Sequence, residues 1–139
     1  MTIEFIVKGI RGKARPRFAR ATGRAYTTKD DKIYEEMVRD AYKGNLSFIN
    51  STLPLRATIE VYHQVPKSYS KKKREQCLSG FIKPTVKPDL DNIAKVILDS
   101  NNKILYKDDS QITELIMKKQ YCGCEESYVK VKIEEIENE

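Results

Sequence analysis

The sequence contains no apolar run approaching the roughly 18 to 20 residues that a membrane-spanning helix needs. Its first residues, MTIEFIVKG, are too short and too charged to serve as a signal peptide. A cytoplasmic location is therefore expected. Cysteine is scarce: Cys77, Cys122 and Cys124 form an odd set, which argues against a disulfide framework and for reduced thiols near the end of a strand. Histidine is rarer still. His63 stands alone, far in sequence from Cys122-Gly-Cys124, so the spacing of a four-ligand zinc site is missing. Acidic residues are nearly absent from two stretches. Between Lys8 and Lys32 only Asp30 and Asp31 oppose the basic residues, and between Lys67 and Lys87 only Glu75 does.

What is present fits one soluble domain spanning residues 1–139. The chain is 40% hydrophobic and 33% charged, with a net charge of +6. The positive excess is concentrated rather than spread. Arg15, Arg17, Arg20 and Arg24 belong to one cluster, and Lys71, Lys72, Lys73, Arg74 and Lys87 to the other. Clustering of this kind is the footprint of phosphate contacts on nucleic acid.

Periodicity outlines the fold. Ile3, Phe5 and Val7 alternate with their neighbours over residues 2–8, and Leu55, Ala57, Ile59 and Val61 over residues 55–64, so both read as strands with one buried face. The long segment 9–26, rich in glycine and basic residues, reads as a functional loop. A helix capped by Thr27 or Thr28 runs to about Lys43 with a stripe of Ile33, Tyr34, Met37, Val38, Ala41 and Tyr42, and Gly44-Asn45 ends it. Ser70 caps a short basic helix that Gly80 ends. Residues 91–99 read as a helix with Ile93 and Ile97 on one side and Asp91, Lys95 and Asp99 on the other. Residues 110–121 and 127–136 read as strands, expected to form a hairpin around Gly123. The expectation is an α+β fold: a small, mixed, mostly antiparallel sheet with two to three helices.

The segment Lys87 to Gln111 carries the chemistry. Asp89, Asp91, Asp99, Asp108 and Asp109 fall within a short span of a basic protein. Asp89 and Asp91, if extended, point the same way, and Asp91 can cap the following helix. If Asp109 folds back against them, carboxylates about 4 Å apart repel by roughly 4 kcal/mol at an effective dielectric of about 20. Such a group calls for protons or a cation, and hard oxygen donors select Mg²⁺ or Mn²⁺. That arrangement beside a basic surface suits phosphodiester hydrolysis, with Lys95 one helical turn from Asp91. The residues alone leave another reading open, in which Asp91 is a cap, Lys95 and Asp99 pair on a solvated face, and Asp108-Asp109 is a turn.

The order Lys87-Pro88-Asp89-Leu90-Asp91-Asn92-Ile93-x-Lys95, then Asp99, then Asp108-Asp109-x-Gln111-Ile112, resembles the RusA family of Holliday-junction resolvases. Arg15-Pro16-Arg17-Phe18 and Gly23-Arg24-Ala25-Tyr26 are similar to the N-terminal region of its phage-type members. The resemblance implies that Asp89, Asp91 and Asp109 bind Mg²⁺ and that Lys95 is needed for activity. It further implies a homodimer acting on four-way DNA junctions. The connection Ser100 to Lys107 departs from the family: it is shorter than in some members and lacks their glycine. A non-catalytic basic nucleic-acid-binding module of the same fold is the alternative. It explains the basic clusters but leaves the grouped carboxylates without a purpose.

Overall fold

The computed structural model describes residues 2–12, 17–18, 25–26, 29–42 and 48–137. Ile3, Phe5 and Val7 turn into the core from β1 (Thr2–Lys8), and the residues between them are exposed. β2 (Arg17–Phe18) and β3 (Ala25–Tyr26) pair antiparallel as a separate ribbon. α1 (Lys29–Ala41) follows, burying Asp31, Tyr34 and Val38. Its covered stripe is narrower than the spacing suggests, because Ile33 and Met37 remain exposed. The expected cap at Thr27 or Thr28 and the stop at Gly44-Asn45 lie outside the described residues.

β4 (Leu55–Gln64) is the most deeply covered strand. Leu55, Ala57, Ile59 and Val61 are each 0% exposed. Burying an aliphatic side chain of this kind contributes about 1.5–3 kcal/mol, and a strand that buries four needs neighbours on both sides. α2 (Lys71–Leu78), α3 (Leu90–Asn101), β5 (Ile112–Cys122) and β6 (Tyr128–Glu135) complete the chain. The main sheet has the order β1-β6-β4-β5. β6 lies antiparallel to β1 and β4, and β4 lies parallel to β5. This is the expected α+β fold, with two of its three ladders antiparallel.

The expected hairpin between the last two strands does not form, because β4 lies between them. The burial demand of β4 explains the order: it takes the central place, and β5, whose Leu115 and Ile116 are exposed, is left at the edge. The link from β5 to β6 crosses the end of β4. Gln64 pins it, donating from its backbone amide to Ser127 Oγ at 2.8 Å and from Nε2 to the Glu125 carbonyl at 2.7 Å. In the same link Cys122 and Cys124 lie close together across Gly123, with Cα atoms 5.2 Å apart. Cys77 stays free and buried.

α3 packs beside α1 on the core. Ile93 and Ile97 are fully buried, while Asp91, Lys95 and Asp99 line the exposed side, as their spacing predicts. Replacing Ile97 with Ala would cost about 2–5 kcal/mol and loosen the helix that carries the acidic motif.

Candidate active site

The first turn of α3 sets the acidic motif. Asp89, not Asp91, occupies the N-cap position, with extended backbone at φ −68° and ψ 151°. Asp91 is already helical, so the two carboxylates do not form the extended pair that the sequence suggests. Pro88 and Asp89 precede the helix, and Pro88 disfavours helical geometry at Lys87, so the helix does not extend back past this point. The Asp89 side chain makes no capping hydrogen bond, and both carboxylates are exposed. Lys95 is exposed one turn on. Among the described residues no ion pair joins it to Asp91 or Asp99.

The N-terminal segment is built against this turn. A Cβ on Gly12 would lie 2.9 Å from Pro88 Cβ and 3.0 Å from Asn92 Cβ, so only glycine fits without displacing the loop. Gly12, Lys87, Pro88, Asp89 and Asn92 line an open groove of about 400 Å³. The segment is anchored just before Gly12: Arg11 Nε donates to the buried Asp31 carboxylate at 2.5 Å, and Tyr34 Oη donates to the Gly9 carbonyl at 3.0 Å.

Asp109 stands elsewhere. Its backbone amide donates to Asn102 Oδ1 at 3.0 Å, and Asn102 is the C-cap of α3. Asp91 and Asn102 are thus separated by eleven helical steps, about 16 Å along the axis. Asp109 belongs to a short 3-10 turn (Asp109–Gln111) fixed by a reciprocal cap: the Asp108 carboxylate accepts from the Ser110 amide, and Gln111 Oε1 accepts from the Asp108 amide. Burial pushes the Asp109 carboxyl up from the ordinary carboxylate range. A hydrogen bond with Asp108 and the charges of Asp108 and Asp99 add to the rise. The Ser110 amide holds Asp108 below that range. Asp99 and Asp109 therefore crowd one end of α3, while Asp89 and Asp91 occupy the other. Among the described residues no three His, Cys, Asp or Glu side chains stand together as a metal-holding group.

The basic residues divide in the same way. Ser70 Oγ accepts from the Lys73 amide at 3.2 Å and caps α2, as expected. Lys71, Lys72 and Lys73 are exposed, Arg74 is half-buried, and Lys73 Nζ lies 3.9 Å from the centre of the Tyr69 ring. Lys87 is exposed beside Asp89. Arg17 opens β2, whereas Arg15, Arg20 and Arg24 lie outside the described residues.

Residues 9–134 match the family described as Endodeoxyribonuclease RusA. The chain belongs to the RusA family. Its similarity to a curated relative is more limited: over 87 residues it is 44% identical to the uncharacterized protein YqaN of Bacillus subtilis (strain 168). That match covers 61% of this chain and 60% of the relative's length.

Within this RusA-family chain the donor set suits a hard divalent cation in kind. Asp89 and Asp91 are exposed oxygen donors with no capping bond at Asp89, and the negative charge crowded around Asp109 favours a counter-charge. The three do not converge within one chain. Sequence reasoning passed over two residues that shape the site. Gly12 carried no signal beyond being one of several loop glycines, and Asn102, which holds Asp109, carried none beyond following the helix.

Proposed function

We propose that this chain is a Mg²⁺-dependent, structure-selective endonuclease, with Mn²⁺ able to substitute. It resolves four-way DNA junctions by phosphodiester hydrolysis in recombination and repair. It does so as a cytoplasmic homodimer of single-domain subunits. The observation that carries the reading is the exposed Asp89 and Asp91 pair with the exposed Lys95 on the first turns of α3, in a chain of an endodeoxyribonuclease family.

In this reading Asp89, Asp91 and Asp109 hold the cation. When bound, it lowers the pKa of the attacking water and offsets charge on the phosphate. Lys95 donates to the phosphate oxygen on which charge develops. Gly12 packs against Pro88 and Asn92, and Lys87 places a cation at the same rim. Lys71, Lys72, Lys73 and Arg74 contact backbone phosphates farther along an arm.

A junction presents two strands to be cut symmetrically, and a twofold dimer offers a site to each. The separation of Asp109 from Asp89 and Asp91 adds a further reason for a dimer: the third carboxylate of each site comes from a second copy. A mixture of Asp91→Asn and Asp109→Asn chains tests this. Each variant alone should be dead, yet a mixed dimer keeps one intact shared site and should nick a junction. A mixture as inactive as its components would overturn the shared site. Cleavage of a synthetic junction with Mg²⁺ and with EDTA separates the enzyme from the alternative, since a non-catalytic module would bind in both conditions and cut in neither.

A further inference from the structure

β5 is the last strand on its side of the sheet, and among the described residues it pairs only with β4. An edge strand presents a row of unpaired N–H and C=O groups, and proteins commonly blunt such edges with prolines, bulges or charges. The three residues between Glu114 and Lys118 carry none of these. Leu115 is 47% and Ile116 52% exposed, Met117 is half-buried, and the one register irregularity lies at the start of the strand, beside Leu55.

We propose that this edge is the seam of a homodimer, in which two copies of β5 pair antiparallel about a twofold axis at Ile116. The inference rests on the homodimer reading above and names its surface and register. The strand is complementary to itself in that alignment. Ile116 faces Ile116 of the partner subunit, Leu115 faces Met117 of the partner subunit, and Glu114 faces Lys118 of the partner subunit. The symmetry repeats the last two pairs. Directly opposed side chains stand about 4.5–5.5 Å apart, close enough for opposite charges and apolar groups to interact.

Faces agree as well as partners. Side-by-side residues in a sheet point the same way. Glu114, Ile116 and Lys118 register with Arg56, Thr58 and Glu60 on one face, while Leu115 and Met117 register with Ala57 and Ile59 on the core face. Pairing would therefore cover Ile116 on one side and extend the apolar core through Leu115 and Met117 on the other. The other edge, β1, lacks this self-complementary order, and a β5-to-β1 contact would generate an open filament rather than a closed pair.

The antiparallel direction also bears on a shared metal site. Lys119 Nζ donates to the Val86 carbonyl at 2.7 Å, so the C-terminal half of β5 lies next to the segment leading into Asp89. Asp109 lies just before the opposite end of the strand. Antiparallel pairing about Ile116 sets Lys119 opposite Thr113 of the partner subunit, so each Asp109, four residues before Thr113, lies past that pair at the C-terminal end of the partner's β5.

Sedimentation equilibrium on the full chain tests the seam without reference to activity. The wild type should have twice the 16.1 kDa chain mass at micromolar concentration. Glu114→Lys and Lys118→Glu each set like charges opposite one another twice and should weaken the dimer by about tenfold or more. The double variant restores opposite charges and should recover most of the loss. Both positions are exposed, but Glu114 also pairs with Arg56 in its own chain, so melting temperature and circular dichroism are read beside mass in all three, and Lys118→Glu, which leaves the Arg56 pair intact, is the cleaner single reversal. A wild-type dimer indifferent to the single reversals, or a double variant as weak as the singles, would place the seam elsewhere and leave the homodimer standing. A wild type of one chain mass, with or without junction DNA, would overturn the homodimer and the seam together. An open series of higher masses would overturn the closed twofold.

Discussion

The backbone amide of Asp109 donates to the side-chain oxygen of Asn102 at 3.0 Å, which ties a proposed metal ligand to the C-terminal end of α3. Asp91 stands on the first turn of that same helix. One rigid element thus carries one part of the acidic set and anchors the other, with about 16 Å of helix between Asp91 and Asn102. The helix is held by Ile93 and Ile97 in the core, so its own flexing cannot join the ends.

Lys95 gives the first prediction. Lys95→Ala should slow junction cleavage by about 10²–10³, the usual effect of removing one electrostatic interaction with a developing charge. Thermal stability should be unchanged within about 0.5 kcal/mol, because the ammonium is exposed and makes no ion pair among the described residues. Normal turnover with lowered stability would assign Lys95 to its helix face alone.

Asp109 gives a pH-dependent prediction. Its folded pKa is raised, chiefly by burial and then by Asp108 and Asp99. The folded state therefore binds that proton more tightly than the unfolded state does. The stability this contributes is present at low pH and is lost as pH rises through the raised value. At pH 7, without divalent metal, the ionised carboxylate disfavours the fold. Asp109→Asn should then melt at a higher temperature than wild type, and the gap should close on acidification toward the ordinary carboxylate range. A variant that melts lower than wild type at pH 7 would contradict the crowding at this end of α3.

Lys103 follows the α3 C-cap with φ 63°, in the left-handed region where glycine is the favoured residue. The strain is about 1–2 kcal/mol, partly offset in a glycine variant by greater freedom of the unfolded chain. Lys103→Gly should therefore stabilise the protein by about 0.5–1 kcal/mol in urea denaturation. A drop in stability would mean that the lysine side chain contributes more than its backbone costs.

Much of this fold is legible in the sequence, and the rest is hidden for identifiable reasons. Alternation at 2–8 and 55–64 marks two strands, Ser70 marks the start of α2, and the steps from Asp91 to Asp99 mark the two faces of α3. The pattern at 110–121 shows a strand but not its neighbour. Strand order depends on how deeply β4 must be buried, a property of the whole sheet. Asp89 and Asp91 are both acceptable caps, so propensity alone could not say which one begins α3. Proximity of Asp109 to the motif in sequence likewise concealed its place at the far end of a straight helix. Ile33 and Met37 share a helical stripe with Tyr34 and Val38, but periodicity does not report where the covering neighbour stops.

The lysines of α2 predict a salt response. If they bind phosphates, replacing Lys71, Lys72 and Lys73 with Ala should flatten the log–log dependence of junction affinity on salt by up to about three units, near 0.9 for each phosphate left without its cation. Lys73, which lies over the Tyr69 ring, should contribute least. An unchanged slope would leave this helix a solvated surface.

The most direct measurement is the cleavage rate of a synthetic four-way junction by wild type and by Asp91→Asn, over a Mg²⁺ series that begins in EDTA, with junction affinity measured alongside. Wild type should cleave symmetrically only when Mg²⁺ is present, and Asp91→Asn should not cleave at any concentration. The variant should bind the junction as tightly as wild type or more tightly, since a negative charge near phosphate has been removed. Cleavage by Asp91→Asn at near the wild-type rate, or equal cleavage by wild type in EDTA, would contradict the metal-dependent mechanism.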